Sequence, residues 1–229
     1  MDTTLFSNRL LHVPLFQGFS RLDFLDIVEK IPFDFRTLQP RQYLVKQGDE
    51  CHGLCVLLSG EVETECESAD HTYTFHEHII APWTVQIESL FGYHNRYAKS
   101  VRAQTETHAL LLEKQNVRRM LVSYPAFQIN FYNALSTVAQ TEMKRNWKSR
   151  PTDLAQCFLS FVENRSIKPI GTKRISIRMT DLAQQLGATR LRVSQMLAEL
   201  AEKGVVDYSR GMITIPHLEQ LQTVLLNTK

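Results

Sequence analysis

The sequence lacks any apolar run close to the about 20 residues that a membrane span requires, which predicts a protein that does not enter a membrane. It has only four cysteines and no segment typical of a secretory signal. So few cysteines do not build the framework of a disulfide-rich secreted protein, and they predict reduced thiols. We therefore expect a cytoplasmic protein.

Motifs of catalysis are also lacking. We find no serine–histidine–aspartate order, phosphate-binding loop or paired-carboxylate motif, so we expect no enzymatic activity. His76 and His78 stand two apart, as on the metal-binding strand of cupins, but cupins place a glutamate ligand soon afterwards and the nearest later carboxylate here is Glu88. Because the histidine pair is present but the glutamate ligand is not, a cupin-like metal-binding protein is only the alternative from another class. Cys51 and Cys55 fit a turn thiol and a small core residue better than a redox or metal pair.

Charge is distributed unevenly along the 229 residues. Residues 1–115 contain 10 basic and 16 acidic side chains, whereas residues 116–229 contain 16 basic and 8 acidic ones. This asymmetry indicates that only the second half meets a polyanion. The composition, 43% hydrophobic and 22% charged, is that of an ordinary globular protein with one large or two modest domains.

The first half of the chain is rich in short β-prone segments. A helix with Ser20 as its N-cap comes first, and the character changes from Leu38 onwards. Turn residues such as Gly48-Asp49 and Ser59-Gly60 then separate the segments. The predicted strands are 43–45, 54–58, 61–66, 73–80 and 109–112. Several strands at such spacing predict an all-β sandwich or roll.

A helical region follows Lys114. We predict a short helix from Asn116 to Tyr124 and a long one from Pro125 to Trp147, because proline suits the first helical position. Apolar steps of four and three along the long helix are similar to a coiled-coil seam. The stripe packs either on its own domain or across a two-fold axis, and we favour a dimer interface formed by Phe127, Phe131, Ala134, Leu135 and Val138.

Residues 179–215 carry the pattern of a winged helix-turn-helix. Thr180 is the predicted N-cap of a short helix, Gly187 supplies the turn, and Thr189 caps a second helix that ends at Gly204. The second helix has a predicted core face of Val193, Met196, Leu197 and Leu200. Residues 205–209 and 212–215 then predict a β-hairpin, the wing.

The second helix of such a pair enters the major groove with its N-terminal residues. Arg190 can bond guanine at two points, Gln195 can bond adenine, and Leu191 can contact a thymine methyl group. Basic and hydroxyl residues around the motif are placed to hold phosphates, which fixes the register. The candidate DNA-binding residues are Arg178, Thr180, Thr189, Arg190, Leu191, Arg192, Ser194, Gln195 and Arg210.

The glycine-punctuated segments 45–49 and 53–62, together with the winged helix-turn-helix, resemble the Crp/Fnr superfamily of bacterial transcription regulators. The resemblance extends over essentially the whole chain. It implies a sensor β-roll of the cyclic-nucleotide-binding type and a long helix that pairs two subunits. It also implies a palindromic duplex DNA operator and contact with RNA polymerase.

The sensor pocket departs from the pattern of the family members that bind cyclic AMP. Those members carry a Gly-Glu pair for the ribose and an Arg-Ser pair for the cyclic phosphate. If Leu90-Phe91 and residues 101–103 serve as anchors, this chain has Gln86-Ile87 and Tyr97-Ala98 at those places. An anion buried without a cation is costly, so we expect a different effector. Arg96 or Lys99 would supply the cation after a shift in register, which leaves a cyclic-nucleotide-responsive regulator with a non-standard pocket as an alternative.

Cofactor predictions stay open. The iron–sulfur cluster of the fumarate–nitrate branch needs clustered N-terminal cysteines, and no cysteine precedes Cys51. We predict no particular cofactor, and the alternative is haem or another small-molecule effector. Five histidines are the candidate haem or metal ligands: His52, His71, His76, His78 and His94. We assign no metal site.

These observations predict an α+β protein in three parts. Residues 1–115 would form a β-roll (double-stranded β-helix) sensor domain, residues 116–150 a dimerisation helix and hinge, and residues 151–229 a winged helix-turn-helix domain. The expected function is a homodimeric transcription regulator that binds a specific duplex DNA sequence.

Overall fold

The computed structural model describes residues 9–147 and 151–226, and the chain divides into two compact units. The first unit contains residues 1–62 and 79–146, and the second contains residues 63–78 and 147–229. The predicted α+β class is confirmed, with a β-roll, a long helix and a helix-turn-helix. The predicted domain boundaries remain a prediction, and residues 148–150 of the predicted hinge lie outside the described residues.

Eight strands come from the N-terminal half. They are β1 (Asp34–Leu38), β2 (Tyr43–Val45), β3 (Gly53–Ser59), β4 (Glu61–Glu67), β5 (Tyr73–Ile80), β6 (Trp83–Val85), β7 (Ser100–Ala103) and β8 (Thr107–Glu113). The first unit contains an antiparallel sheet in the order β1-β8-β3-β6 and a pair formed by β2 and β7. All five predicted strands are present, whereas β1, β6 and β7 were not predicted.

Three helices cover one face of this sheet: α1 (Arg21–Lys30), α2 (Lys114–Ser123) and α3 (Pro125–Trp147). Ser20 caps α1 through a reciprocal pair of hydrogen bonds with Asp23, as its position predicted. Alternate residues of β3 face the helices, because Leu54, Val56 and Leu58 lie in the same apolar core as the phenylalanines of α3. At Gly53, a Cβ atom would lie 2.3 Å from the carbonyl oxygen of Leu112, so the close approach of β3 to β8 requires glycine.

The predicted dimer stripe of α3 is instead part of the chain's own core. Phe127 is 0% exposed and Phe131 is 2% exposed, and their ring centroids lie 6.2 Å apart. Phe127 also contacts the ring of Phe16 at 5.7 Å. The remaining stripe residues, Ala134, Leu135 and Val138, are partly buried against the same core. The prediction that this stripe forms a dimer interface is therefore wrong for the two phenylalanines, because no partner can reach side chains that the protomer itself encloses.

Within the described residues, the second unit contains four helices and a sheet. Its elements are α4 (Leu154–Glu163), β9 (Lys173–Ile177), α5 (Met179–Leu186), α6 (Arg190–Glu202), β10 (Asp207–Ser209), β11 (Met212–Ile215) and α7 (Leu218–Leu226). Asp153 is the N-cap of α4, and its carboxylate accepts a hydrogen bond from the Gln156 amide at 3.0 Å. The strand order is β10-β11-β9-β5-β4. Strands β5 and β4 come from the N-terminal half, so this sheet combines distant parts of the sequence.

Candidate nucleic-acid interface and sensor pocket

Two short helices and a tight turn form the candidate nucleic-acid interface. Gly187 ends α5 in the left-handed conformation, with φ of 65°, which an L side chain adopts only with strain. Thr189 caps α6, since its hydroxyl accepts a hydrogen bond from the Arg192 amide at 3.4 Å. Thr180 is not an N-cap as predicted, because α5 already begins at Met179 and Arg178 takes the N-cap position.

The second helix, α6, has a buried face and an exposed face, as its sequence pattern predicted. The buried face packs in the core of the second unit and consists of Val193, Met196, Leu197 and Leu200. Ser194 is half-buried at the edge of this face. The exposed face starts with Arg190, Leu191 and Arg192 and continues to Gln195. Leu191 is 68% exposed, so a large apolar side chain stands in water beside two arginines.

The wing brings a second basic segment near the start of α5. The Ile177 amide donates a hydrogen bond to the carbonyl of Gly211 at 2.8 Å. Arg178 follows Ile177 directly and Arg210 precedes Gly211, so their backbones lie in adjacent chain segments. Tyr208 of β10 is 40% exposed and was not among the predicted site residues. The sequence signal that could have identified Tyr208 is its place in the predicted wing between two polar residues, Asp207 and Ser209.

Four arginines of this surface have no acidic partner in the part of the chain that the structure describes. Arg178, Arg190, Arg192 and Arg210 are all exposed, and within the described residues none of their guanidinium groups forms an ion pair. A guanidinium group that has no carboxylate partner keeps its full hydrogen-bonding capacity for phosphate or guanine. Binding of an anion by these four cations would therefore not require an internal salt bridge to break.

The predicted sensor-pocket residues are largely occupied by contacts among themselves and with the roll. The side chain of Gln86 binds the backbone of Lys99 at two points, accepting from its amide at 2.9 Å and donating to its carbonyl at 2.8 Å. Ile87 is 5% exposed and belongs to the helix-facing core. Ala98 is exposed. Arg96 is also exposed, and its guanidinium donates to the carbonyl of Gly48 at 2.7 Å.

Tyr97, which the sequence comparison predicts at the position of the family's phosphate-binding arginine, is 7% exposed. Its hydroxyl donates to the carbonyl of Gly53 at 3.5 Å. Burial raises the pKa of Tyr97, and Cys51 beside it acts in the same direction, so the phenol stays neutral. Burial likewise raises the pKa of Cys55, which keeps this thiol protonated and unreactive. The Tyr97 side chain itself thus supplies no positive charge for a phosphate.

A cavity of about 620 Å³ opens beside Tyr97. Its walls come from β1, the segment from Leu44 to Cys55, and the end of β8, and Arg96 and Tyr97 are the two predicted pocket residues that line it. Four carboxylates and two guanidinium groups surround it. Arg36, one of the two guanidinium groups, is bound to Asp34 at 2.8 Å. The cavity is therefore more acidic than basic.

The candidate ligands do not form a metal-binding cluster within the described residues. In residues 9–147 and 151–226, no three side chains among His, Cys, Asp and Glu are placed to hold a metal ion. His76 lies 3.9 Å from Glu63 and 4.0 Å from Glu65, measured from its Nδ1 atom. Among the described residues, we also find no helix with the length and apolar character of a membrane span.

Comparisons with solved structures gave matches of low identity. A catabolite activator protein from Thermus thermophilus is 21% identical, with a TM-score of 0.48, and the match covers 94% of this chain and 100% of that one. A regulator of the Crp/Fnr family from Eubacterium rectale is 19% identical, with a TM-score of 0.49 and coverage of 92% and 97%. The c-di-GMP-responsive regulator CLP from Xanthomonas campestris is 13% identical, with a TM-score of 0.47 and coverage of 85% and 99%. No curated protein sequence matches the chain.

Two family models match the sequence itself. Residues 35–124 match the cyclic nucleotide-binding domain, and residues 154–224 match the Crp-like helix-turn-helix domain. The second match includes both helices of the motif and the wing, which implies DNA binding by this domain. Because the two domains occur in this order on one chain, the protein belongs to the Crp/Fnr superfamily of transcription regulators.

Proposed function

We propose that this regulator acts as a homodimer on a palindromic duplex DNA operator and responds to an effector other than cyclic AMP. Haem or another small molecule would be the effector, and RNA polymerase would be the further partner that the family implies. Residues 1–115 would sense, residues 116–150 would pair the subunits, and residues 151–229 would bind DNA. One observation carries the proposal: α6 is buried along one face and presents Arg190, Leu191 and Gln195 to solvent along the other.

The candidate residues divide into two roles on this surface. Arg190, Leu191, Arg192, Ser194 and Gln195 would lie in the major groove, where Arg190 and Gln195 reach base edges. Thr189, Arg178, Thr180 and Arg210 would lie along the sugar–phosphate backbone. The exposed, unpaired guanidinium groups support both roles, because forming a contact with DNA costs them no internal ion pair.

A second row of α3 supports pairing of two copies. Ile129, Tyr132 and Met143 are exposed by 57%, 52% and 61%. With Ser136 and Ala139, also exposed, they follow steps of three and four residues, which is the spacing of a two-helix coiled coil. We propose this row as the dimer seam in place of the buried phenylalanines, with the same row of a second copy as its partner.

The dimer proposal and the DNA proposal share one experiment. Replacing Tyr132 and Met143 together by glutamate should give a folded monomer, because both side chains are exposed within the protomer and each apolar group is worth roughly 1.5–3 kcal/mol when fully buried in a seam. Sedimentation measures the mass, and selection from random duplexes measures the operator. The wild type should select a two-fold symmetric sequence, and the variant should bind that sequence much more weakly.

Val122→Glu is the matched control. Val122 is 85% exposed on α2 and lies outside the seam, so this variant should remain dimeric. A dimer that survives both glutamate substitutions on α3 would place the interface elsewhere. A wild-type protein that enriches no duplex sequence would contradict the DNA-binding proposal itself.

The effector proposal rests on the missing cation. Millimolar cyclic AMP or cyclic GMP should leave the melting temperature unchanged, because Tyr97 stands where the phosphate needs an arginine and carboxylates outnumber guanidinium groups around the neighbouring cavity. A nucleotide that bound with micromolar affinity would instead stabilise the fold by about 4 kcal/mol at that concentration. Calorimetric titration checks the result directly, and a micromolar dissociation constant for either nucleotide would establish the non-standard pocket instead.

A further inference from the structure

A hairpin from the sensor sequence is built into the DNA-binding unit. Residues 63–78, here called the sensor hairpin, belong to the second compact unit although they fall within the match to the cyclic nucleotide-binding domain. Its strand β5 pairs antiparallel with β9 over five residue pairs, from Tyr73 opposite Ile177 to Glu77 opposite Lys173. On its other edge, β9 pairs with β11 of the wing, so β9 lies between the hairpin and the wing.

Glu77 and Lys173 form a buried ion pair at the end of this β5–β9 ladder. The Lys173 Nζ atom lies 2.8 Å from Glu77 Oε1, and both side chains are 0% exposed. Glu77 also accepts hydrogen bonds from the amides of Ile167 and Lys168 at 2.6 and 2.7 Å. Lys173 donates a second bond to the carbonyl of Ile170 at 2.8 Å. The carboxylate thus holds both β9 and the segment that leads into it.

Three further contacts fix the same hairpin. Arg174 of β9 pairs with Glu63, and the Arg165 guanidinium donates to the Tyr73 hydroxyl at 2.8 Å. The rings of Tyr73 and Phe161 lie edge to face with centroids 5.4 Å apart. Polar and aromatic contacts with β9, α4 and the residues after α4 therefore hold the sensor hairpin in one position within the second unit.

Removing the Glu77 charge would disturb the position of β9 and of the wing strand beside it. The Lys173 ammonium would remain buried without its hydrogen-bonded anion, with only the weaker attraction of Glu219 left, which is much more costly than losing both charges together. Burial already lowers the pKa of Lys173, so the ammonium can lose its proton; otherwise relief requires β9 to move away from β5 or Lys173 to reach water. Either movement shifts β11, because Lys173 is also the partner of Ile215 in the wing sheet. The wing turn at Arg210 would then leave its position.

We propose that Glu77 is a positioning residue for the DNA-binding surface: through Lys173 and β9 it sets the place of the wing, so that the sensor hairpin holds the wing in its DNA-binding arrangement. The proposal rests on the proposed function, since it assumes that Arg210 meets a phosphate. It adds that a residue of the sensor sequence, outside the helix-turn-helix match, controls that contact. Strands β4 and β5 each include residues assigned to the first unit, 61–62 and 79–80, so the sensor hairpin is continuous in sequence with that unit.

The test compares Glu77→Gln, Arg210→Ala and the double variant on the selected operator. Glu77→Gln should weaken binding about tenfold and lower the slope of log affinity against log salt by about 1, as the loss of one phosphate contact does. The double variant should bind no more weakly than Arg210→Ala, because both changes remove the same contact. Losses that multiply in the double variant would overturn the proposal, as would a Glu77→Gln protein with wild-type affinity.

A disulfide separates positioning from loss of folding. Thr74 and Ser176 are directly opposed in the β5–β9 pairing, so Thr74→Cys with Ser176→Cys offers a cross-strand link. In the Glu77→Gln background, oxidation should restore operator affinity to within about twofold of the wild type, and reduction should abolish the rescue. An oxidised, folded protein that still binds about tenfold more weakly would contradict the proposal.

Glu67→Gln is the matched control. Glu67 lies in the same hairpin, but its side chain is 51% exposed and bound to His71. This variant should bind like the wild type. If the wild type and this control select no duplex, the proposed function fails; if both bind and Glu77→Gln binds equally well, only the role of Glu77 fails.

Discussion

Phe127→Ala should lower the free energy of unfolding of the first unit by about 3–5 kcal/mol, the range for truncating a buried aromatic side chain. The side chain is 0% exposed and contacts Phe16 and Phe131, so its removal leaves a cavity that these two aromatic neighbours cannot easily close. Trp83, which is 9% exposed in this unit, provides a fluorescence signal for denaturant unfolding. The loss should appear as a lower denaturation midpoint.

Val122→Ala is the control for this measurement, because its side chain is 85% exposed and should change stability by no more than about 0.5 kcal/mol. The experiment also discriminates between the two roles considered for the α3 stripe. If Phe127→Ala dissociated the dimer and left the stability of the protomer intact, the stripe would be an interface and the packing described above would be wrong.

Arg190→Ala should reduce the preference for the operator over scrambled DNA by about 1–3 kcal/mol, the value of a good two-point contact with a base. Arg190 opens α6 directly after the Thr189 cap, where recognition helices enter the groove. Substitution at one base position of each half-site should then cease to matter. Titrations of operator and scrambled duplex at several salt concentrations give both quantities.

Arg210→Ala is the comparison, since Arg210 lies at the wing turn. It should weaken both duplexes to a similar degree and flatten the slope of log affinity against log salt by about 1. Equal weakening of both duplexes by Arg190→Ala, with specificity unchanged, would remove α6 as the base-reading element.

The helix-turn-helix was predictable because each local signal agreed with the others. Gly187, Thr189 and the four buried residues of α6 specify a cap, a turn and a face within a short stretch, and the structure has all three. The bounds of α3 were predicted for a similar reason, since Pro125 marks its start. The error at Thr180 was a shift of two residues, caused by a hydroxyl residue that lies just inside the helix.

The face of α3 was harder to predict, because this helix has two apolar rows. The row with Phe127 and Phe131 packs inward, and the row with Ile129, Tyr132 and Met143 stays exposed. Spacing alone fits both rows. Side-chain size was the missing criterion, since two phenylalanines in a domain already rich in aromatic residues favour a core.

Long-range pairing could not be read from the sequence at all. Strand β9 begins with Lys173 and Arg174, which suggests a solvated segment, yet Lys173 is completely buried because Glu77 compensates its charge from a strand about a hundred residues earlier. A lysine is rarely enclosed unless such a partner exists. No pattern in the residues near Lys173 indicates that Glu77 is its partner.

The hairpin also bears on how such a protein can be divided or recombined. A fragment limited to the C-terminal part would expose the β5 side of β9 as an unpaired edge, which is a template for pairing with other chains. It would also lack Phe75, which is 2% exposed in the core of the second unit. Exchanging the sensor for one from another regulator would need to carry residues 63–78 along with the recipient's DNA-binding part. The unit of modular exchange in this protein is therefore discontinuous in sequence.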